Sequence, residues 1–350
     1  MNITKTFGPE IADVHFSESE SGDLAGIASE IYFSLRDVPE DLALDALLKT
    51  GQQSGSLFPK LRDALGELVT HESWKVMVMH GPPPIDTELG PTPVRYLKPK
   101  ENPILKTDIC RALILGMAGV YPYGYDSQQP GNIHNNVVAI KSFEGKKGIS
   151  ANAADRLGLH NEDASYNLSE YNISPDWLTI QALRNPALVP SLVSLPNIGN
   201  LPTSTRRLLE EDFFVNHTNP GQGGDENNAQ RPVSVLYGPD GQWIRLNTEQ
   251  LDMDKHSIRH AEALQTLVDM ASEATIELDF LPGDIVINDN RRVLHGRARY
   301  LPHQAPKYDG TDRWQRRVVA ADEPARIQQF EVEPRIVSPR EMFAAISKSQ

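Results

Sequence analysis

The 350-residue chain is 39% hydrophobic and 23% charged, enough apolar content to build a core without disulfide or metal staples; its single cysteine, Cys110, excludes an intrachain disulfide. A formal charge of −13 argues against a nucleic-acid partner, because duplex binders carry a clustered basic footprint. The opening MNITKTFGPEIADVHF lacks a basic segment leading into an apolar one, and the longest apolar stretch, 112–120, is too short to span a bilayer. The expectation is a cytoplasmic protein with no membrane partner, in which Cys110, inside ICRALILGMAGV, is a small buried apolar residue.

In chain order, residues 23–35 and 56–70 place apolar side chains at three- and four-residue intervals and predict helices. A strand at 74–79 stops at Gly81-Pro82-Pro83-Pro84, and a further helix covers 105–118. From about residue 135 the pattern turns to short β-like runs at 136–142, 177–183, 232–238, 242–246, 274–280, 284–290 and 316–322. Gly238-Pro239-Asp240-Gly241 predicts a tight hairpin, Leu281-Pro282-Gly283-Asp284 a second turn, and a helical insert falls at about 255–272. Helices first and many short strands after suggest an α+β fold with an antiparallel double-sheet core, and the strand count fits a jelly roll. This is read as a single catalytic domain over 1–350, mainly helical over 1–120, with a jelly-roll core over 125–335. The polar, glycine-rich stretch 217–230 reads equally as a lid or as a plain surface insertion.

Three histidine arrangements bear on chemistry. His256 and His260, in HSIRH, have the helical spacing of a zinc protease but lack the glutamate after the first histidine, so a solvated helix face is the better reading. Arg206-Arg207 and Arg291-Arg292 read as solvated surface as well. In His160-Asn161-Glu162 the outer two residues point to one face of a strand, since the strand period is two. His295, in IVINDNRRVLHGRARY, completes two histidines and one carboxylate. Such a set leaves three positions of iron(II) open, two for a bidentate 2-oxo acid and one for dioxygen. Downstream, Arg313 and Arg317 in YDGTDRWQRR share strand parity and can both face a cavity as carboxylate partners, while Arg316 points the other way.

Taken in order, GLHNEDASY, DNRRVLHGRARY and YDGTDRWQRR resemble the clavaminate synthase-like branch of the iron(II)/2-oxoglutarate oxygenases, which includes amino-acid β-hydroxylases of peptide-antibiotic pathways. The resemblance covers residues 125–322. It implies a double-stranded β-helix core with N-terminal and inserted helices, and iron(II) on His160, Glu162 and His295. It also implies 2-oxoglutarate on Arg313, with Ser191 of VPSLVS beside it, and an amino-acid-like substrate whose carboxylate meets Arg317. Gln129, or its neighbour Gln128, matches a substrate-contacting glutamine of some relatives. Asn247 stands in the substrate region where arginine hydroxylases of the branch carry an aspartate, which weighs against an arginine substrate. The segment before Arg313 is also lengthened by HQAP at 303–306.

The implied reaction is hydroxylation of an unactivated C–H bond of a small amino-acid-like molecule, with release of succinate and carbon dioxide. The retained carboxylate Glu162 disfavours halogenation. Other readings are a taurine-type small-anion dioxygenase, a desaturase or cyclase using the same site, a zinc hydrolase on the same three ligands, or a non-catalytic jelly-roll binding module.

Overall fold

The computed structural model describes the chain apart from residues 36–37, 39, 72, 82–88, 147–148, 154, 169, 218–231, 252–256 and 349–350. Two strands, β1 (Asn2–Thr4) and β2 (Ile11–His15), lead into helices α1 (Glu18–Leu35), α2 (Glu40–Ser54) and α3 (Pro59–Val69). Next come β3 (Val76–His80), α4 (Lys106–Ala118), β4 (Tyr121–Tyr125), β5 (Asn135–Val138), β6 (Leu157–His160), β7 (Trp177–Arg184) and β8 (Ser191–Ser194). The short α5 (Thr203–Leu209), β9 (Leu236–Tyr237), β10 (Trp243–Ile244) and α6 (Ile258–Glu273) precede β11 (Thr275–Leu278), β12 (Ile285–Asp289), β13 (Leu294–Arg297) and β14 (Trp314–Ala321). The described chain closes with α7 (Pro324–Gln328), β15 (Glu331–Glu333), β16 (Ile336–Val337) and α8 (Pro339–Lys348).

Ten strands form one mixed sheet in the order β1-β2-β3-β12-β7-β14-β4-β16-β15, with β5 also on β14; four form a second sheet, β11-β8-β13-β6. The large sheet is antiparallel except for the β2–β3 and β4–β16 pairs. Its strands alternate between two apolar environments, as the strand period requires. Met77, Met79, Ile285, Ile287, Val318 and Ala320 pack under α1–α4. Val76, Val78, Ala182 and Val286 instead meet Val193 of β8 and Leu278 of β11, so the two sheets share a core. At the α2–α4 crossing a Cβ on Gly51 would lie 2.3 Å from the Leu113 carbonyl oxygen, and one on Gly116 2.3 Å from that of Leu48.

The fold is therefore α+β, with the expected turns in place. β9 and β10 form the hairpin at 238–241, while the turn at 281–284 carries the chain from the small sheet to the large one. Several elements differ from the periodicity-based expectation. The helix expected over 56–70 begins at Pro59, whose ring suits the first helical turn. The first 120 residues are not helical throughout: β1–β3 extend the large sheet. Cys110 is buried in α4. His260 is buried rather than solvated, stacked on Phe213 at 3.9 Å and 3.0 Å from Glu211; His256 and nearly all of the 217–230 stretch lie outside the described residues. Among the described residues no helix is long and apolar enough to cross a membrane.

Candidate active site

β13 runs between β6 and β8, in register that sets His295 opposite His160. Their rings lie 4.1 Å apart. The register needs Gly296: a Cβ there would sit 2.7 Å from the Leu157 carbonyl oxygen. Strand parity accounts for His160 but not for Glu162. β6 ends at His160, and Glu162 is placed by the turn after it, where its amide donates to Asn290 Oδ1 (2.7 Å) and its carbonyl accepts from Asn290 Nδ2 (3.1 Å). Asn161 ties the same turn to the Asn290 and Val293 carbonyls and to Leu246. Thus HNE and DNRRVLHG, remote in sequence, form one cross-linked unit.

Arg291 and Arg292 are not solvated surface. Both grip the buried Asp289 carboxylate, Arg291 through Nε at 3.1 Å and Arg292 through Nη1 at 2.5 Å, and Arg291 also pairs with Asp322 at 2.9 Å. They brace the turn that delivers His295.

His160, Glu162 and His295 bring one ligand atom each within 4.8 Å of one another. His160 Nδ1 lies 2.8 Å from the Gly158 carbonyl oxygen, which fixes the tautomer and frees Nε2. Burial, aided by His295 and Arg317, pushes the His160 imidazole down to about 4, keeping it neutral as a ligand must be. Burial alone would raise the Glu162 carboxyl, but Arg317 and the two histidines outweigh it and hold it well below the usual range. The two oxygens of Glu162 are divided: Oε2 lies 3.5 Å from His295 Nε2, whereas Oε1 accepts from Arg317 Nη1. Two imidazoles and one anionic oxygen, converging and supported from behind, fit a divalent iron or zinc ion.

Beside this group lies a cleft with about 590 Å³ of open space, lined among others by Ser191, Arg297, Arg313, Gln315 and Arg317. β14 starts at Trp314, so Arg313 sits at its mouth and Arg317 two repeats of the pleat deeper on the same face. Arg313 Nη2 donates to Ser191 Oγ at 2.9 Å; its Nε is buried with no partner among the described residues. Burial pushes the Arg313 guanidinium down to about 10. Arg316, on the opposite face, is wholly buried against Asp108, Asn102 and Asn136. A second cleft of about 420 Å³ opens on the other side of His160 and Glu162, lined by Asp163, Asn216, His217, Asn247, Glu249 and Gln250.

The structure separates the two candidate glutamines. Gln129 gives both ends of its amide to the Asn136 backbone (2.7 Å each) and holds a loop. Gln128 instead accepts from Arg317 Nη2 at 2.5 Å and donates to Asp163 at 2.6 Å. Asn247 borders the second cleft, but its amide is engaged locally with Gln250 and the Glu249 amide N–H. Asn216 was not anticipated; both polar atoms of its side chain are buried without a partner among the described residues. The surrounding EEDFFVNHT belongs to none of the motifs above, so nothing short of the fold singles it out. The HQAP segment forms a short 3-10 turn tied to the Ala187 carbonyl by Gln304, and Arg313 still reaches the cleft.

Comparison with known proteins agrees with this geometry. Residues 212–319 match the family described as taurine catabolism dioxygenase TauD, TfdA family. The chain is 30% identical over 285 residues to the enduracididine β-hydroxylase of Streptomyces hygroscopicus, covering 74% of this chain and 80% of that protein. It is 26% identical over 296 residues to the L-ornithine/L-arginine 3-hydroxylase of Catenulispora acidiphila, with the same coverage. The fold is shared with the non-heme iron oxygenase OrfP bound to Fe and α-ketoglutaric acid (TM-score 0.78, 21% identity, 93% of this chain and 99% of that one). It is also shared with asparagine oxygenase bound to Fe(II), (2S,3S)-3-hydroxyasparagine and succinate (TM-score 0.79, 21% identity, the same coverage). The chain belongs to the TauD/TfdA family of iron(II)/2-oxoglutarate-dependent oxygenases, in the clavaminate synthase-like branch that contains these amino-acid hydroxylases.

Proposed function

We propose that this oxygenase hydroxylates an unactivated C–H bond of an amino acid with a polar side chain, using His160, Glu162 and His295 to hold iron(II) and Arg313 to hold 2-oxoglutarate. The observation that carries the reading is Arg313. A buried guanidinium with no carboxylate partner among the described residues is costly unless an anion completes it. The distal carboxylate of a 2-oxo dicarboxylic acid supplies that anion a short span from the metal ligands. Ser191, given by the resemblance as a residue beside the co-substrate, accepts a hydrogen bond from the guanidinium and orients it. We further assign the two sheets to a double-stranded β-helix, within one catalytic domain over 1–350. That assignment is supported by their shared core and by the cleft between them, lined from β6, β8 and β13 of the small sheet and from β7 and β14 of the large one.

Bound iron(II), with 2-oxoglutarate and dioxygen, would supply the oxidant that replaces C–H by C–OH, with succinate and carbon dioxide as co-products. The protein's share is position. Arg317 aims Glu162 by holding Oε1, and its buried Nε keeps a donor for a substrate carboxylate. The second cleft, with Asp163, Asn216 and Gln250, offers the substrate carboxylate and amide partners, which suits a polar side chain over an aliphatic one.

The test is a screen of amino acids for succinate release in the presence of iron(II) and 2-oxoglutarate, with mass analysis of the product. A polar amino acid that gains one oxygen atom from labelled dioxygen is the expected result. Succinate release with taurine or another small sulfonate, and with no amino acid, would overturn the substrate assignment.

A further inference from the structure

A second set of metal-ligating side chains lies on the large sheet, and it shares no residue with the site above. β2 and β3 run parallel in a register that sets His15 beside His80. Asp13 is two residues before His15, so it projects from the same face. That face also carries Ile11, Val76 and Val78 toward the small sheet, and the three polar residues continue the row past the end of that apolar contact. The sequence offers no warning: Asp13 and His15, two apart on a strand that periodicity missed, meet His80 only through the fold.

The geometry is that of a ligand cluster rather than of a hydrogen-bond network. Nε2 of His15 and Nε2 of His80 each lie 3.2 Å from the same oxygen, Asp13 Oδ1. Yet that oxygen is buried and, among the described residues, accepts no well-aligned hydrogen bond. The two imidazoles stack at 4.9 Å with planes only 23° apart, presenting their Nε2 atoms side by side. All three ligand atoms fall within 4.8 Å of one another. Zinc–ligand bonds of about 2.0 Å place tetrahedral neighbours about 3.3 Å apart, close to both nitrogen–oxygen separations here.

The support behind the ligands is also in place. Asp284 Oδ2 lies 3.1 Å from His80 Nδ1, the carboxylate–histidine arrangement that fixes the tautomer of a metal-bound imidazole. Asp284 is itself held by the Leu281 amide N–H at 3.0 Å, and the other oxygen of Asp13 accepts from Thr4 at 3.2 Å. His15 is half-exposed, its side chain retaining 51% of its accessible surface, so the fourth position faces water.

We propose that Asp13, His15 and His80 form a zinc site, separate from the oxygenase centre, that staples the N-terminal strand β2 to β3 and, through Asp284, to the turn entering β12. The site takes a borderline divalent ion with a water as fourth ligand. Its metal does no part of the oxidation.

The experiment counts zinc. Chelator-treated full-length protein is titrated with Zn²⁺ in competition with a chromogenic chelator. Wild type should bind two equivalents and His15→Ala one. A His160→Ala/His295→Ala variant should bind one equivalent, lost on adding His15→Ala. Asp284→Asn should weaken this remaining equivalent about 10- to 100-fold. Cobalt(II) in the double variant should give the visible absorption of a tetrahedral nitrogen–oxygen site, and His15→Ala should leave iron-dependent turnover unchanged. A single equivalent in wild type, undiminished in His15→Ala, overturns the proposal. So does a His160→Ala/His295→Ala protein that melts cooperatively yet takes up no zinc, or that keeps its zinc when His15 and His80 are both replaced by alanine. Should the double variant fail to fold, the comparison of wild type with His15→Ala decides alone, because His15 is on the surface.

Discussion

Arg313 and Arg317 stand four residues apart on one face of β14 and meet opposite electrostatic surroundings. For Arg317, burial is outweighed by Glu162, and its guanidinium is held above the ordinary arginine value; for Arg313 burial wins, with Tyr300 offsetting it only in part. Arg317 is thus tied to the protein's own carboxylate, whereas Arg313 has no carboxylate partner among the described residues. Arg313→Ala should raise the KM for 2-oxoglutarate about 10- to 100-fold, the worth of a charge-assisted hydrogen bond, with a smaller change in turnover at saturation; steady-state kinetics check this. Arg317→Ala should lower the affinity for iron(II) about 10- to 100-fold by freeing Glu162 to rotate, as read by metal titration; an unchanged affinity would remove Arg317 from that role. At this scale the sequence shows ligand types well and local geometry poorly. That His160, Glu162 and His295 would converge was legible because few residue types can serve as ligands. Gln128 and Gln129 were not distinguishable, because which of two adjacent amides reaches Arg317 depends on a positive φ at Gln129 that no composition signals.

Among the elements, the turn between β12 and β13 does the most for the site. Asp289 there is fully buried, and burial, which would raise its carboxyl, is outweighed by His71, Arg291 and Arg292, which hold it far below its ordinary range. A carboxyl depressed on folding contributes stability that is complete above its unfolded value and is lost as the pH falls toward the folded one. Asp289→Ala should cost about 3–5 kcal/mol at neutral pH, the usual effect of breaking a buried pair. The gap from wild type should narrow below about pH 4, as denaturant melts at several pH values would register. A gap that stays constant down to pH 3 would contradict the pairing. Gly296→Ala tests the neighbouring strand: the added methyl meets the Leu157 carbonyl, so a loss of about 1–3 kcal/mol and impaired metal binding are expected. The basic pair 291–292 looked like surface in the sequence because its partners, Asp176, Asp289 and Asp322, are mostly distant along the chain. Short apolar runs such as 284–290 were readable as strands, since alternation on both faces leaves a dense hydrophobic signature.

Across the whole molecule, two sheets with a shared core enclose the cleft beside His160, Glu162 and His295, and helices α1–α4 cover the outer face of the larger sheet. The α+β class followed from the order of helical and strand-like segments. The joining of β1–β3 to the main sheet did not, because three- and five-residue strands near the N-terminus carry too few residues for a period to show. The central claim is that this scaffold assembles one iron and one 2-oxo acid on His160, Glu162, His295 and Arg313. It is tested most directly without oxygen and without substrate, by adding iron(II) and 2-oxoglutarate to metal-free protein and recording the visible absorption of a chelated 2-oxo acid. The band should form in wild type, be absent in His160→Ala, and weaken in Arg313→Ala until 2-oxoglutarate is raised about 10- to 100-fold. Folded, iron-loaded wild-type protein that gives no band at saturating 2-oxoglutarate would contradict the account.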